Sequence, residues 1–425
     1  MRYLLPIVLV SLAVLAVDYY VYRNWRPFAL RRKRRRWTLP VYRALMAAMP
    51  LVLPVYFLLS NWWDVEPKAV RFVVVGLWLT WYVPKALLAI VLALKDAGRG
   101  VTWLFAWFKA RLAPIEASAD AAEPPREPLD LADMRQISRK EFLRQMGWTA
   151  ASVPFVVVGY SVFRRLYDFD VVRVDVPIPG LPRAFDGLRI AQLSDLHAGS
   201  LFSDRPMEDA VDLVLAERPD LVTITGDYVN HDHREAPTIL PALDRLRAPL
   251  GVFGVLGNHD HYADVGRVAR QVDATAVDLL VNDARTLTVD GASLHVVGTD
   301  NTGFGQRYGD LDAAMRRVRP GGDDATLLLA HDPTFWDSHV RPSRHDVDLM
   351  LAGHTHGGQV GVELGPLRWS LARVMYPRWA GLYGEPSAGE REKQFLYVNR
   401  GLGTVGPPVR LGIRPEITIL TLRRV

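Results

Sequence analysis

The chain has 425 residues, 49% of them hydrophobic, and its 51 Lys and Arg against 46 Asp and Glu give a net charge of +5. It is therefore too long for one ordinary domain and too apolar for a disordered chain. Two charge systems underlie the total, because residues 1–165 carry +13 and the remainder carries −8. All 11 histidines lie at or after His197, and the lack of cysteine excludes disulfides, thiolate metal sites and a cysteine nucleophile. The acidic, histidine-rich half is thus suited to a divalent metal held by nitrogen and oxygen.

Residues 1–112 predict a membrane region with about three transmembrane helices. The apolar run from Leu4 to Tyr22 is long enough, at ~1.5 Å per residue, to cross a hydrocarbon core of ~30 Å. A second span is predicted from about Tyr42 to Trp63 and a third from about Ala69 to Leu94. The segment from Val101 to Leu112 is too short to cross and is typical of an interfacial helix.

Two basic clusters predict the orientation of these helices. One lies between Arg23 and Arg36 and the other at residues 138–144, and such clusters stay in the cytoplasm. A cleaved signal peptide is the alternative for the first helix, but it would leave the first cluster outside. The second cluster is similar to a twin-arginine export signal, with Lys140 where the second arginine is expected. A retained fourth transmembrane helix or anchor over residues 141–165 is preferred.

This topology predicts a multi-pass protein of the bacterial inner membrane. The first helix would run inward, two more would return, and the fourth would exit. Everything after about Tyr167 would then lie on the outer, periplasmic face. Only Asp18 and Lys85 are charged deep within the predicted spans, which disfavours a channel or transporter. Because Lys85 follows Pro84, it would snorkel, face the helix bundle or mark a break in the helix.

Residues 113–140 are rich in Ala, Pro and acidic side chains and predict a linker. Beyond it, residues 180–425 predict an α/β domain of short buried strands and amphipathic helices. Five of the predicted strands end in side chains that can bind a metal: Asp195-Leu-His197, Gly226-Asp227, Gly257-Asn258-His259-Asp260, His331-Asp332 and Gly353-His354-Thr-His356. Strand ends are where open α/β sheets build their sites.

The spacing within these motifs suits metal binding. Asp195 and His197 stand at i and i+2, so along an extended backbone both would point to one side. Each motif alone is usually a turn or a helix cap. Five in this order indicate a metal site. Motifs of serine hydrolases, zincin proteases and dinucleotide-binding enzymes do not occur in the required context.

This series of motifs resembles the signature of the calcineurin-like metallophosphoesterases, from about Leu188 to Leu422. The flanking sequences GHTHGGQ (353–359) and WAGLY (379–383), and the stretch from NRGLG to PEITIL (399–420), resemble a membrane-attached bacterial branch of that family. The resemblance implies an α/β fold, a four-layer αββα sandwich, behind an N-terminal α-helical transmembrane region. It also implies a centre of two divalent metal ions.

The resemblance assigns the site residues. One ion would be held by Asp195, His197 and His356, and the other by Asn258, His331 and His354. Asp227 would bridge the two ions. His259 would be the general acid or a phosphate contact, with a fourth nitrogen ligand as its alternative, and Asp260 would orient its ring. So many imidazoles favour Mn²⁺, Fe or Zn²⁺ over Mg²⁺ or Ca²⁺ alone.

The implied activity is hydrolysis of a phosphodiester, pyrophosphate or phosphomonoester by metal-bound hydroxide, without a covalent intermediate. Membrane lipids would be partners, and the substrate would be a lipid-linked or cell-envelope phosphate ester. UDP-2,3-diacylglucosamine of lipid A synthesis is one candidate, although nucleotide sugars are cytoplasmic. No nucleic-acid partner is expected, because the negative charge lies in the half that carries the site.

A non-catalytic metal-binding or regulatory module attached to a membrane domain is the alternative function. His231, His233 and His261 are expected on loop surfaces near the site. Arg400 and Arg410 are candidate phosphate contacts.

Overall fold

The computed structural model describes residues 4–31, 35–60, 68–112, 139–303, 305–318, 324–364, 367–386 and 393–425. The predicted linker therefore lies outside the described residues, except for its last two positions, which begin a helix. The chain divides into two compact units. The first comprises residues 1–66 and 74–159, and the second comprises 67–73 and 160–425.

Long apolar helices make up the described part of the first unit. Among the described residues, three stretches are long and apolar enough to cross a membrane by length and composition, and two of them extend a few residues into the second unit: Arg36–Tyr56, Val70–Lys109 and Glu141–Arg165. The helices that precede the first strand are α1 (Leu4–Leu30), α2 (Arg35–Ser60), α3 (Lys68–Leu112), α4 (Arg139–Ala150) and α5 (Val153–Tyr160).

The prediction of a separate interfacial helix from Val101 is wrong. Helix α3 continues through 45 residues without interruption, and Pro84 lies inside it. The stretch from Val101 to Leu112 is mostly apolar and contains neither glycine nor proline. The nearest helix-breaking residues, Gly98 and Gly100, lie just before it. Two glycines cost only about 1 kcal/mol each in a helix interior, which the surrounding helix-forming sequence outweighs.

The two charges predicted deep in the spans meet inside the first unit. Lys85 forms an ion pair with Asp18, and both side chains are buried. The Tyr82 hydroxyl donates to the Asp18 carboxylate at 2.9 Å, and the Lys85 ammonium lies 3.5 Å from the centroid of the Trp81 ring. Of the three options for Lys85, the structure thus selects the one in which it faces the bundle.

The second unit contains two six-stranded sheets. In the first the strand order is β1-β14-β2-β3-β4-β5, and in the second it is β12-β13-β9-β8-β7-β6. The strands are β1 (Asp170–Ile178), β2 (Arg189–Leu193), β3 (Leu221–Thr225), β4 (Val252–Val255), β5 (Asp278–Leu279), β6 (Asp283–Val289), β7 (Ala292–Gly298), β8 (Asp324–Leu329), β9 (Leu349–Ala352), β10 (Gly361–Leu364), β11 (Leu367–Ser370), β12 (Gly381–Pro386), β13 (Lys393–Val398) and β14 (Glu416–Arg424).

Short helices follow or connect the strands of the second unit, and several of them pack on the outer faces of the two sheets. They are α6 (Arg205–Ala216), α7 (Leu240–Leu243), α8 (Asn258–Tyr262), α9 (Val265–Asp273), α10 (Leu311–Met315) and α11 (Arg341–Ser343). In α6 the buried positions Met207, Ala210, Val211 and Val214 follow the i, i+3, i+4, i+7 spacing of an amphipathic helix. That apolar stripe packs on the first sheet.

The strands alternate their side chains between two apolar layers. In β2, Ile190 faces a core that also contains Leu327 and Leu351 of the second sheet. Its neighbour Ala191 faces the opposite side, where α6 packs. A third apolar cluster lies between the second sheet and its helices, around the fully buried Trp336. The four-layer αββα arrangement is therefore confirmed.

The ends of parallel strands place the predicted site. β2, β3 and β4 run parallel in the first sheet, and β7, β8 and β9 run parallel in the second. The carboxyl ends of parallel strands meet at one sheet edge. The Gln192 amide nitrogen, near the end of β2, donates to the Ala352 carbonyl at the end of β9 at 2.9 Å. This contact joins the two edges that carry the motifs.

Candidate metal centre

The backbone of the motif residues is not extended. Five of the predicted ligands have a positive φ, between 44° and 68°: Asp195, His197, Asp227, His354 and His356. Residues other than glycine rarely adopt this conformation, and such residues cluster at functional sites. The prediction that an extended pleat aligns Asp195 with His197 is therefore wrong. A left-handed turn after β2 places their side chains instead.

The first group of side chains is Asp195, His197 and His356, all buried. The Nε2 atoms of His197 and His356 lie 3.0 Å apart, and His356 Nε2 lies 3.3 Å from Asp195 Oδ1. Ligand atoms bound to one ion at about 2.0–2.2 Å stand roughly this far from each other. The three atoms thus have the spacing of ligands around a single ion.

The second group is Asp227, His331 and His354. His331 Nε2 lies 3.0 Å from Asp227 Oδ2, while its Nδ1 donates to the Thr225 carbonyl at 2.6 Å. That backbone bond fixes the ring and turns Nε2 toward the carboxylate. His354 Nε2 contacts the Tyr376 hydroxyl at 2.9 Å and lies 3.6 Å from Asp332 Oδ2.

Asp227 connects the groups. Its Oδ2 also lies 3.6 Å from His197 Nε2, and it forms a third group of possible ligands with His197 and His259. Its other oxygen accepts the backbone N–H of His259 at 2.8 Å. Gly257 allows this approach, because a Cβ there would lie 2.2 Å from Asp227 Oδ1.

Buried polar atoms without partners test whether a metal fits. Asn258 is 2% exposed, and its Oδ1 has no hydrogen-bond partner among the residues that the structure describes. The same holds for His331 Nε2, which lies close to Asp227 without the alignment of a hydrogen bond. Buried polar atoms normally have partners. Carboxylate, amide and imidazole donors of this kind fit divalent cations.

The electrostatics of the group also favour a cation. Burial raises the pKa of Asp195 to about 6 and lowers the pKa of His197 to about 3. Burial alone would lower the pKa of His331, but the Asp227 and Asp195 carboxylates raise it to about 10. Without a metal, the positive charge beside Asp227 is the proton that its carboxylate stabilises on His331. A bound divalent ion would take over that role by displacing this proton.

His259 is held by a different partner from the one predicted. Its Nδ1 donates to the Asn230 carbonyl at 2.7 Å, and its ring centroid lies 4.8 Å from that of His197. The expected contact from Asp260 is a wrong prediction. Both Asp260 oxygens accept backbone N–H groups, from Gly257, Asp227, Tyr228 and Val229.

The physical reason is the position of Asp260 in α8. As the third residue of that helix, it reaches back to the helix cap at Gly257, as acidic side chains in a first turn do. The same carboxylate holds the backbone of Asp227. Asp260 therefore positions Asp227 rather than the ring of His259.

The two candidate phosphate contacts are engaged elsewhere. Arg400 is buried and paired with the carboxylates of Glu416, Glu363 and Asp170. Arg410 is buried and donates to the carbonyls of Arg400, Gly401 and Gly403. Arg400 is therefore committed to carboxylates. Arg410 makes its hydrogen bonds through Nη2, and its buried Nε and Nη1 have no hydrogen-bond partner among the described residues.

Arg400 and Arg410 instead hold the loop behind the first group. The Gly403 N–H of that loop donates to the Asp195 carbonyl at 2.8 Å, and the Leu402 N–H donates to the Ser194 carbonyl at 3.0 Å. Burial lowers the pKa of Arg410 to about 9. Both arginines support the backbone that carries Asp195.

The three loop histidines have different surroundings. His231 is exposed and His233 is half-buried. His261 lies in α8 rather than in a loop, where its Nε2 donates a hydrogen bond to Asp300 Oδ1 at 2.6 Å and its ring stacks on Tyr308. Sequence reasoning did not find Tyr376. Its hydroxyl meets a ligand candidate 22 positions away, and no short motif signals such a contact.

Fold and site together define a class: a two-sheet α/β domain that gathers buried carboxylate and imidazole groups suited to divalent metals. Comparison with known proteins identifies the family. Residues 188–358 match the calcineurin-like phosphoesterase family, and residues 1–165 match a family described as "Probable Calcineurin-like phosphoesterase, transmembrane domain".

Three relatives support the match. The chain is 30% identical over 301 residues to the uncharacterized metallophosphoesterase YkuE of Bacillus subtilis, covering 68% of this chain and 99% of the relative. It is 33% identical over 268 residues to the transmembrane protein with metallophosphoesterase domain of Bos taurus. That match covers 60% of this chain and 57% of the relative. It is 30% identical over 243 residues to the phosphodiesterase YaeI of Escherichia coli. That match covers 55% of this chain and 82% of the relative.

The chain belongs to the calcineurin-like phosphoesterases. It is a metal-dependent phosphoester hydrolase of a family that uses two divalent metal ions, and it is a membrane protein. The bovine relative is longer, and the chain spans 57% of it.

Proposed function

We propose that this protein is a membrane-anchored phosphodiesterase whose two ions share Asp227. Asp195, His197 and His356 would hold one ion, and Asn258, His331 and His354 the other. The position of Asp227 carries the proposal, because its Oδ2 lies 3.0 Å from His331 Nε2 and 3.6 Å from His197 Nε2. A carboxylate between two sets of imidazoles can serve both ions.

The residues around the ions would do the remaining chemistry. Two bound divalent ions supply Lewis acidity to phosphoryl oxygens and lower the pKa of a bound water. His259 donates Nδ1–H to a backbone carbonyl, so its Nε2 side is available to the site. With a proton on Nε2 it would protonate the leaving oxygen as a general acid. His354 would bind through Nδ1, since its Nε2 contacts Tyr376.

We propose a lipid-linked or cell-envelope phosphate ester as the substrate. Membrane-spanning stretches in the same chain confine the site near a bilayer, where lipid substrates are concentrated. The Escherichia coli relative is named a phosphodiesterase, which favours a diester over a monoester. Nucleic acids are disfavoured, since the half of the chain that carries the site is acidic.

The membrane side decides between substrates. The basic clusters of the sequence support a multi-pass protein of the bacterial inner membrane with the second unit on the periplasmic face. From that side the metal centre would have access to phosphodiesters of the cell envelope. UDP-2,3-diacylglucosamine of lipid A biosynthesis would be reached only from the cytoplasm.

Metal removal and substrate comparison test the function. The full chain, purified in detergent, is stripped with a chelator and reloaded with Mn²⁺, Fe²⁺ or Zn²⁺ in turn. We expect two ions per chain and recovered hydrolysis of bis-p-nitrophenyl phosphate, with Mn²⁺ effective. Full activity in the metal-free protein would contradict the two-metal proposal. A non-catalytic module would bind metal and hydrolyse nothing.

The substrate class is tested in mixed micelles. We expect a phospholipid analogue with a fluorescent diester head group to be hydrolysed with a higher kcat/KM than p-nitrophenyl phosphate and UDP-2,3-diacylglucosamine. Preference for the last compound would identify the lipid A substrate instead. An alkaline phosphatase fused after Val425 should be active if the second unit is periplasmic, and a silent but stably expressed fusion would reverse the orientation.

A further inference from the structure

An exposed apolar surface lies beside the metal centre. We define the apolar segment as residues 362–364 and 367–375, which comprise most of strands β10 and β11 and the turn of helix after them. Its exposed large apolar side chains are Val362, Leu367, Trp369, Leu371, Val374 and Met375. Val374 is 81% exposed and Met375 is 68% exposed.

This concentration is unusual for the second unit. Between residues 166 and 425, the described part of the chain exposes eleven large hydrophobic side chains, and six of them fall in the twelve described positions of the segment. Single exposed apolar residues are normal, but contiguous patches mark binding surfaces. The apolar segment therefore requires a partner.

The hairpin is oriented by its own pairing. Val362 pairs with Trp369, and Glu363 pairs with Arg368. Glu363 is bound to the buried Arg400, so its face of the hairpin turns inward. Neighbouring positions alternate in a strand, so Val362 and Trp369 point outward.

The apolar segment is fixed to the predicted ligand loop. The Ser370 hydroxyl donates to the carbonyl of Gly357, the residue after His356. A Cβ at Gly358 would lie 2.6 Å from the Ala372 backbone nitrogen, so the loop and the segment are in close contact. Tyr376, which follows the segment directly, contacts His354. Whatever binds the segment is thus held next to the site.

The chemistry of the segment fits a lipid bilayer. Trp369 is of a type enriched at the membrane interface, and one exposed basic residue, Arg373, lies in sequence between the exposed Leu371 and Val374. The one acid, Glu363, is paired with Arg400 and Arg368. Apolar and basic side chains together bind anionic lipid surfaces.

Chain connectivity brings a bilayer within reach. The last candidate membrane-spanning stretch ends at Arg165, and β1 begins at Asp170. Five residues span at most about 18 Å, so the second unit is tethered close to the lipid head groups. A tether this short keeps the second unit at a bilayer, so a lipid surface is available to the segment.

We propose that the apolar segment inserts into the interface of the bilayer and presents a phosphate ester embedded there to the metal centre. This proposal rests on the proposed function, a lipid-linked substrate, and adds to it the surface that selects such substrates. Insertion would place the head groups at the level of the predicted ligands. Soluble diesters would reach the metals without using the segment.

Site-specific labelling tests insertion. The chain has no cysteine, so a single introduced cysteine can carry an environment-sensitive NBD label in the full-length protein. Val374→Cys is compared with Leu213→Cys, which is exposed on α6, in vesicles of phosphatidylcholine and phosphatidylglycerol. We expect the label at 374 to shift to the blue and to be quenched by brominated lipid, while the label at 213 stays quenchable by aqueous iodide.

Two results would overturn insertion. The label at 374 could remain in water like that at 213. It could also be shielded from both iodide and brominated lipid, which would mean that a protein segment covers the surface.

Substrate comparison tests the consequence for activity. Leu371→Asp with Val374→Asp should lower turnover of the lipid-embedded diester by about tenfold or more, since charges are expelled from an apolar interface. Hydrolysis of bis-p-nitrophenyl phosphate should stay within about twofold of the unaltered protein. The control is Val281→Asp, an exposed apolar position outside the segment.

The outcomes separate the two proposals. If the label at 374 enters the bilayer but the protein does not hydrolyse lipid diesters, the membrane-docking surface would stand and the lipid-linked substrate would be rejected. If the label stays in water but the protein hydrolyses lipid diesters, the lipid-linked substrate would stand and the membrane-docking surface would be rejected. Equal loss on both substrates would mean that the segment only supports His354 through Tyr376.

Discussion

Each unit of the molecule buries a cluster of charges, and the two clusters are completed differently. In the first unit, Asp18 is met by the Lys85 ammonium and the Tyr82 hydroxyl, and Lys85 also lies over the Trp81 ring. In the second unit, buried carboxylates and imidazoles crowd together, and polar atoms such as Asn258 Oδ1 have no hydrogen-bond partner in the described structure.

The difference follows from the cost of burying charge. A charge removed from water needs a partner of opposite sign, and a buried polar atom needs a hydrogen bond. In the membrane cluster the two charges neutralise each other, and the Tyr82 hydroxyl adds a hydrogen bond to Asp18. The catalytic cluster holds ligand atoms without such partners, so cations complete it. A buried ion pair whose charges balance each other indicates a structural role. Buried ligand groups whose polar atoms lack partners indicate a binding site.

Removing the shared carboxylate should have the largest effect. Asp227→Asn would leave both ions without an anionic ligand, so we expect kcat/KM for bis-p-nitrophenyl phosphate to fall by at least about 1000-fold, or about 4 kcal/mol. Metal content, measured by mass spectrometry, should fall below two ions per chain. The control is Asp232→Asn, an acid of the neighbouring loop that is paired with exposed Arg234. Unchanged hydrolysis would reject the shared position of Asp227.

His259 should have the next largest effect and distinguishes its two roles. With His259→Asn we expect kcat to fall by about 100-fold or more while both ions remain bound, as for a lost general acid. His231→Asn, an exposed neighbour, is the control. Loss of one ion along with activity would instead make His259 a fourth nitrogen ligand.

In the first unit, breaking the ion pair should affect stability and not catalysis. Asp18→Asn leaves the Lys85 ammonium buried without its counter-charge, which costs about 3 kcal/mol or more. Denaturation of the full chain in detergent should show this loss, and the metal content should be unchanged. The double variant Asp18→Asn with Lys85→Met should recover most of it. A double variant as unstable as the single one would contradict the pairing.

The smallest effect is expected from Tyr376→Phe. Loss of the hydroxyl that contacts His354 Nε2 should weaken metal binding at one site by about tenfold, the usual effect of removing a group behind a ligand. A metal titration of the stripped protein measures it, with Tyr262→Phe as the control. Equal affinity in both variants would mean that Tyr376 does not support the ligand.

Much of the second unit was predictable because its information is local. Short apolar strands ending in Asp, His and Asn identified the sheet edge, and the structure gathers the predicted Asp and His ligands there. Asp260 was misassigned, because its helix position turned its carboxylate toward the backbone. Arg400 was misassigned because two of the carboxylates that hold it, Asp170 and Glu363, come from distant segments of the chain.

The first unit was predictable in composition and less so in arrangement. Hydropathy located apolar helices, since a bilayer requires about 20 apolar residues whatever their order. It did not show that Val101 to Leu112 continues α3, because a break and a continuous helix have similar composition there. The roles of the 113–140 segment remain a prediction outside the described residues.

By itself, the sequence determined the apolar helices, the α/β sandwich and the residues suited to metal, because hydrophobic pattern and side-chain chemistry are written along the chain. Only the tertiary structure decided that Lys85 meets Asp18, that His259 rests on Asn230, and that the apolar segment stays uncovered. Such contacts join residues far apart in sequence, and their geometry depends on packing and on the few degrees of backbone rotation that turn a side chain toward one partner or another.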